Sequence, residues 1–171
     1  HKADSFLVAV DRDHGKPRWK IPREGKRACY STPCTRTTTS GKKELVFVHC
    51  YEGVIGVDLE SGQQNWHIDP FGRQSQRALA SPVVAGDLVI ASSGAVGGDR
   101  QVVAIVIDDS GSIAKATEAY RLIRQSPHVP TPLLLGDRLY LWNDGGIVTC
   151  CESKTGEVVW QKRVGGNYFS S

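Results

Sequence analysis

Three tryptophans, Trp19, Trp66 and Trp160, stand on one ruler: 47 residues separate the first two, and 94, twice that, separate the second and third. Each closes the same phrase. A small residue lies ten positions before the Trp (Ala9, Gly56, Cys150), an acid eight before (Asp11, Asp58, Glu152) and a glycine four before (Gly15, Gly62, Gly156). Self-similarity at this period marks a repeat architecture, in which each unit is one supersecondary element that buries its apolar face only against its neighbours. The chain of 171 residues holds about 3.6 such periods.

The unit around Trp160 reads most clearly. Residues 131–135 give a short strand that ends in the Gly136, Asp137 turn, and Arg138 to Trp142 gives a second strand. Asn143, Asp144, Gly145 and Gly146 are residues that tolerate positive φ, the signal of a tight turn. Ile147 to Cys151 and Glu157 to Arg163 supply two more strands, joined by a turn at 153–156. Four short antiparallel strands in about forty residues make one propeller blade.

The pattern recurs upstream. Ser31, Thr32 and Pro33 open one unit, with strands expected over 44–50, 54–59 and 64–68; Ser81 and Pro82 open the next, with strands over 88–92 and 102–107. Pro33, Pro82 and Pro132 are 49 and 50 residues apart, an independent landmark for the same period. In the middle unit Asp108 to Gly111 keeps the turn, Lys115 stands near the place of the missing Trp, and the last strand is expected within 119–124. The fold class is therefore all-β: an incomplete β-propeller of about 3.5 four-stranded antiparallel blades. It divides into a half blade (1–30), blades at 31–79, 80–128 and 129–164, and the start of another at 165–171.

The chemistry of the phrase follows from its residue types. The acid caps its own backbone and the glycine takes the left-handed conformation that the turn requires. The Trp offers a large flat surface with one polar handle. The small residue lies on the neighbouring strand, where a bulky side chain would block close approach. Ala9, Gly15, Trp19, Gly56, Gly62, Trp66, Cys150, Gly156 and Trp160 are thus candidates for keying each blade to the next.

These residues resemble the PQQ-like β-propeller repeat family, whose unit reads S-P-x-V-x-G-D, then D-G, then A-x-D-x-x-T-G-x-x-x-W. Residues 131–160 match nearly throughout, with Thr131 for the Ser and Glu152 for the Asp; 81–87 and the Trp19 and Trp66 phrases match well. More closely, the chain looks like the C-terminal half of bacterial extracytoplasmic PQQ-repeat proteins. The resemblance implies that the Trp phrase docks adjacent blades, and it implies a cell-envelope location.

Composition bounds the function. Hydrophobic residues at 40% and charged residues at 23% are those of a globular chain, and the net charge is only +3. Basic clusters at 16–27 and 36–43 fall in turn-like stretches and read as a solvated face; no aromatic ladder accompanies them, so nucleic acid is not an expected partner. No run of 18 apolar residues exists to span a membrane as a helix. The chain opens at His1 without an initiator Met and enters a strand-like run at Phe6, the expectation for a piece of a longer protein.

The inventory of reactive groups points away from catalysis. Cys29, Cys34, Cys50, Cys150 and Cys151 are an odd number with no CxxC, so zinc spacing is absent and buried thiols in strands are expected. Family resemblance implies that a PQQ-dependent dehydrogenase needs a closed eight-bladed ring, a calcium held by a carboxylate and an amide, and an Asp base. Here the acids Asp11, Asp58, Asp87, Asp108, Asp137 and Glu152 recur once per unit as turn punctuation. Such dehydrogenases set an adjacent-cysteine disulfide against the cofactor in a loop, whereas Cys150 and Cys151 fall in a strand, where neighbours point to opposite faces. His14 and His67 are expected to be exposed, His49 packed on a strand and His128 in a Pro-rich loop.

The expected function is a non-catalytic propeller segment that acts as a protein-interaction or ligand-binding platform, with Arg73, Arg77, Asp99, Arg100 and His128 as candidate partner contacts. The alternative is part of a PQQ-dependent dehydrogenase or sugar-processing enzyme, with PQQ and calcium only if further blades complete a site. Expected partners are the remaining blades of a ring or a second copy, joined through unpaired strand edges, and a protein partner.

Overall fold

The computed structural model describes residues 5–25, 28–72, 77–94 and 100–169. Among these there are fourteen strands and no helix. Strands β1 (Ser5–Val10) and β2 (Pro17–Arg23) pair as a two-stranded first sheet. The second sheet holds β3 (Cys34–Thr37), β4 (Lys43–His49), β5 (Gly53–Asp58) and β6 (Gln64–Ile68). The third holds β7 (Val83–Ala85), β8 (Leu88–Gly94), β9 (Arg100–Asp108) and β10 (Lys115–Leu122), and the fourth β11 (Leu133–Leu135), β12 (Arg138–Trp142), β13 (Ile147–Glu152) and β14 (Val158–Arg163). Within each sheet the strands lie in chain order and pair antiparallel. This is the meander of a propeller blade, and the sheets do not close into a ring.

The turns explain the meander. Ala85 pairs with Leu88 and Leu135 with Arg138, so the first hairpin of the third and fourth sheets turns on two residues, Gly-Asp; in the second sheet Thr37 pairs with Lys43 across a longer loop. The turn of the Trp phrase is equally regular: Asp11, Asp58 and Glu152 accept the amides of Gly15, Gly62 and Gly156, whose φ values of 67°, 75° and 75° an L side chain rarely adopts.

The third sheet is the centre of the described core. On one face Val89, Ala91, Val103 and Ile105 pack against Val46, Val48, Val54 and Trp66 of the second sheet. On the other, Leu88, Ile90, Val102 and Ala104 pack against Leu139, Leu141 and Cys151 of the fourth. Burial on both faces accounts for the unbroken apolar run at 102–107, because each such side chain contributes about 1.5–3 kcal/mol when taken out of water. The fourth sheet, by contrast, ends in β14, exposed along its whole length.

The third sheet also departs from the expected pattern. Its last strand spans Lys115–Leu122, not 119–124. Nor does Lys115 take the place of the missing Trp. Trp19, Trp66 and Trp160 pair across the ladder with Ala9, Gly56 and Cys150, each two residues before the turn acid. The matching residue in the third sheet is Val106, and its partner is Thr117. In the other three sheets a β-bulge falls immediately after the small residue; in the third the register shifts later, between Glu118 and Tyr120. Counting from Gly111 misses this, because the turn is two residues longer here: Asp108 pairs with Lys115, seven residues on, whereas Asp11, Asp58 and Glu152 bond the residue five on.

Candidate functional site

Three joints, of two kinds, connect the four sheets. At the first, the Trp19 indole donates to the Leu59 carbonyl at 3.1 Å, and its ring lies so close to Gly62 that a Cβ there would sit 2.7 Å from it. Trp19 of the first sheet thus rests on the phrase turn of the second. At the third joint Tyr120 stands in the same relation to the fourth sheet. Its hydroxyl donates to the Ser153 carbonyl at 2.6 Å, and a Cβ on Gly156 would lie 2.6 Å from its ring. Burial pushes the Tyr120 phenol well above its ordinary pKa, so it remains a donor.

The middle joint is built differently. Trp66 is only 4% exposed and lies flat over Gly56 of its own sheet, where any Cβ would overlap the ring. Its indole donates to Glu44 Oε1 at 2.8 Å. Glu44 also accepts from Asn65 at 3.0 Å and pairs with Arg36 at 2.7 Å, and both charged side chains are all but inaccessible. Arg36 then reaches the third sheet twice, donating to the Gly86 carbonyl at 3.1 Å and to Asp109 at 2.9 Å. Arg36 therefore does not belong to a solvated basic face, whereas Lys42 and Lys43 are exposed as expected. A charge removed from water this fully is sustained only by such complete pairing. Outside this network an open groove of about 650 Å3 runs along the joint, lined by Thr38, Lys42, Asp58, Asn65, Asp109 and Ser112 among others.

A further link joins the unit openings. The Ser81 hydroxyl accepts the Thr32 amide at 3.0 Å, and the Thr131 hydroxyl accepts the Ser81 amide at 3.2 Å. The hydroxyl residues at the openings of the third and fourth sheets' units therefore tie each to the unit before it, whereas the Ser31 hydroxyl donates to the Val48 carbonyl of its own unit.

The remaining turn acids are used locally. Asp11 Oδ1 accepts the amides of Asp13 and His14, Asp58 Oδ1 those of Glu60 and Ser61, and Asp108 Oδ1 that of Ser110. Hydrogen bonds from the His14 and Arg18 side chains hold Asp11 at about 2, and those from Ser61 and Ser110 hold Asp58 and Asp108 below the ordinary carboxylate range. They are occupied caps, not convergent acids.

Of the candidate contact residues, Arg73 and Asp99 lie outside the described residues. Two of the other three, Arg100 and His128, meet at Asp144 of the tight turn at 143–146. Arg100 pairs with Asp144 at 2.6 Å, and the His128 amide donates to the same carboxylate oxygen at 3.0 Å. Arg77 lies beside them: its carbonyl accepts the Gly94 amide at 3.3 Å, and its guanidinium stands 5.5 Å from the Tyr30 ring. Burial holds the His128 imidazole below its ordinary pKa, with Arg100 acting in the same direction and Asp144 against. Asp144 spans the β12–β13 turn, the β8–β9 end and the 123–132 connection.

At the same end of the blades lie three groups that the spacing gave no reason to connect. Cys29, His49 and Cys50 converge so that one donor atom from each lies within 4.8 Å of the others. The Cys29 and Cys50 sulfurs are 3.2 Å apart. Cys29 is not a strand thiol; it lies in the connection from β2 to β3, which returns past the end of β4. Cys150 and Cys151 are buried and unbridged in β13.

The open ends are the least covered parts of the fold. Trp160 occupies the register of Trp19 and Trp66, yet is 44% exposed, with its ring tilted against Tyr140 of its own sheet at 6.1 Å. At the other end β1 and β2 carry the Trp phrase without the two inner strands that accompany it elsewhere.

The family model described as outer membrane protein assembly factor BamB matches residues 1–162. Among solved structures, BamB from Moraxella catarrhalis superposes with a TM-score of 0.58 at 16% identity, covering 93% of this chain and 45% of that one. The quinohemoprotein alcohol dehydrogenase ADHIIG from Pseudomonas putida HK5 gives 0.67 at 15%, covering 94% and 31%. The β-propeller domain of Cps50 (Swd1) from Myceliophteria thermophila gives 0.62 at 13%, covering 96% and 50%. The chain thus spans half or less of these propellers, and the likeness is one of fold. No curated protein sequence matches it.

Proposed function

The chain belongs to the PQQ-like β-propeller family described by outer membrane protein assembly factor BamB, and from that premise we propose that it is a non-catalytic interaction platform of the cell envelope. Its blades are the units 31–79, 80–128 and 129–164, flanked by the half blade 1–30 and the start of another at 165–171. Trp19 and Tyr120 key their blades to the next, and Trp160 is a key whose lock is supplied by a further blade, from the same ring or from a second copy.

One observation carries this reading: Asp11, Asp58 and Asp108 are used as turn caps, Glu152 pairs with Arg138, and the buried ions Arg36, Glu44 and Asp109 form a joint between blades, so these acids serve the scaffold. What remains for recognition is the loop end around Arg77, Arg100, His128 and Asp144, together with the faces of β14 and of the half blade. A platform of this kind binds a protein through pre-positioned loops on a rigid scaffold.

Calorimetry with PQQ and calcium on the full-length protein, in which any further blades are present, tests the reading against the enzyme alternative. The platform reading predicts no saturable heat; calcium-dependent saturable binding overturns it.

A further inference from the structure

We propose that Cys29 and Cys50 form a thiol–disulfide exchange site, which accepts oxidising equivalents from a disulfide donor and staples the β2–β3 connection to the end of β4. The two sulfurs stand 3.2 Å apart across 21 residues of sequence. Their exposures differ in the way that exchange requires. Cys50 is wholly buried, whereas Cys29 is partly exposed, so a donor can reach the Cys29 sulfur while Cys50 waits beneath it.

The surroundings favour the outer thiol as the attacking group. His49 hydrogen-bonds to Cys29, and the Cys50 amide points at the same sulfur at 3.5 Å. The Tyr51 amide donates to His49 Nδ1 at 3.2 Å, which orients the ring and leaves the imidazole proton on Nε2. Burial works to raise the Cys29 thiol, but these hydrogen bonds outweigh it and bring the thiol below its ordinary value; burial and its neighbour push Cys50 up. A thiolate held by an imidazole at a partly exposed position is the environment of a reactive cysteine, whereas a buried thiol without such help is inert. The spacing also suits a bridge better than an ion. Sulfurs bound to a tetrahedral zinc at about 2.3 Å stand about 3.8 Å apart, farther than this pair.

The exchange balances without a further reagent. The Cys29 thiolate attacks one sulfur of the donor; the donor's S–S bond breaks, and its other sulfur leaves as a thiol. Cys50 then attacks the Cys29 sulfur of the mixed disulfide, that bond breaks, and the second donor thiol departs. Two electrons and two protons pass from Cys29 and Cys50 to the donor, which is any accessible disulfide, such as oxidised glutathione or a protein disulfide.

The test treats the whole chain with oxidised glutathione, alkylates the remaining thiols and maps the linked peptides. A Cys29–Cys50 bridge should dominate, with Cys34, Cys150 and Cys151 alkylated and with dithiothreitol reversing the bridge. Cys29→Ser should abolish the bridge while leaving circular dichroism unchanged, and His49→Asn should slow its formation severalfold. Oxidation that leaves Cys29 and Cys50 free, or that pairs either with another cysteine, overturns the proposal. So does stoichiometric zinc that shields these thiols from alkylation until a chelator is added.

Discussion

The Tyr120 hydroxyl donates to the Ser153 carbonyl, one residue past the turn acid Glu152, as the Trp19 indole donates to the Leu59 carbonyl, one residue past Asp58. Both rings lie on the glycine of the turn they meet, Gly156 or Gly62. The same joint is thus made by two aromatic residues, and the blade that lost its Trp kept the contact.

Removing the Tyr120 hydroxyl should therefore weaken the chain modestly and crowding its ring severely. Tyr120→Phe is expected to cost about 1 kcal/mol, the worth of one hydrogen bond. Gly156→Ala should cost more than that, because it adds a Cβ both at positive φ and against the Tyr120 ring. Urea unfolding followed by tryptophan fluorescence measures both.

The middle joint predicts a different signature. Arg36→Met leaves Glu44 and Asp109 without their shared cation and should cost about 3–5 kcal/mol, the usual penalty for stranding a buried charge. Glu44→Gln added to that variant should recover part of the loss, since it removes one stranded charge. Urea midpoints that simply add would show that the two residues are not coupled.

Much of this organisation could be read from residue spacing, and the rest failed for identifiable reasons. The Gly-Asp turns and the Trp phrase place β12 at 138–142 and β6 at 64–68, because turn residues and alternation are local. The position of Tyr120 was not legible because the turn after Asp108 is longer than in the other units and the bulge is displaced to Glu118, neither of which a count from the glycine reveals. Arg36 sits among Thr and Ser and reads as surface; its burial depends on Asp109, more than seventy residues later, which no local pattern reveals. Cys29, His49 and Cys50 have no metal-like or redox-like spacing, and only the return of the β2–β3 connection unites them.

The pH dependence follows from the capping acids. Burial works to raise the Asp109 carboxyl, but hydrogen bonds from Thr39 and Arg36 outweigh it and hold the group below its ordinary value; Asp58 and Asp108 are lowered by their serine partners. The folded chain therefore binds these protons less readily than the unfolded chain. Their contribution is present above the ordinary carboxylate range, about pH 4, and is lost as pH falls through the folded values. Urea midpoints should fall between pH 5 and pH 3, and Asp109→Asn should flatten that fall.

The hydroxyl link between openings makes a smaller prediction. Ser81→Ala removes the acceptor for the Thr32 amide and should cost about 1 kcal/mol. Thr131→Val should cost a similar amount, by removing the acceptor for the Ser81 amide. Amide hydrogen exchange at Thr32 and Ser81 reports each loss separately.

The half blade and the Trp160 face are expected to pair with a second copy of this chain where no further blade covers them. Light scattering on the 171-residue chain at high concentration tests it most directly, with Trp160→Lys alongside, since a charge on an edge strand opposes pairing. Association to at least twice the mass of one chain, reduced by Trp160→Lys, is the predicted result. A monodisperse monomer that the substitution leaves unchanged would contradict it.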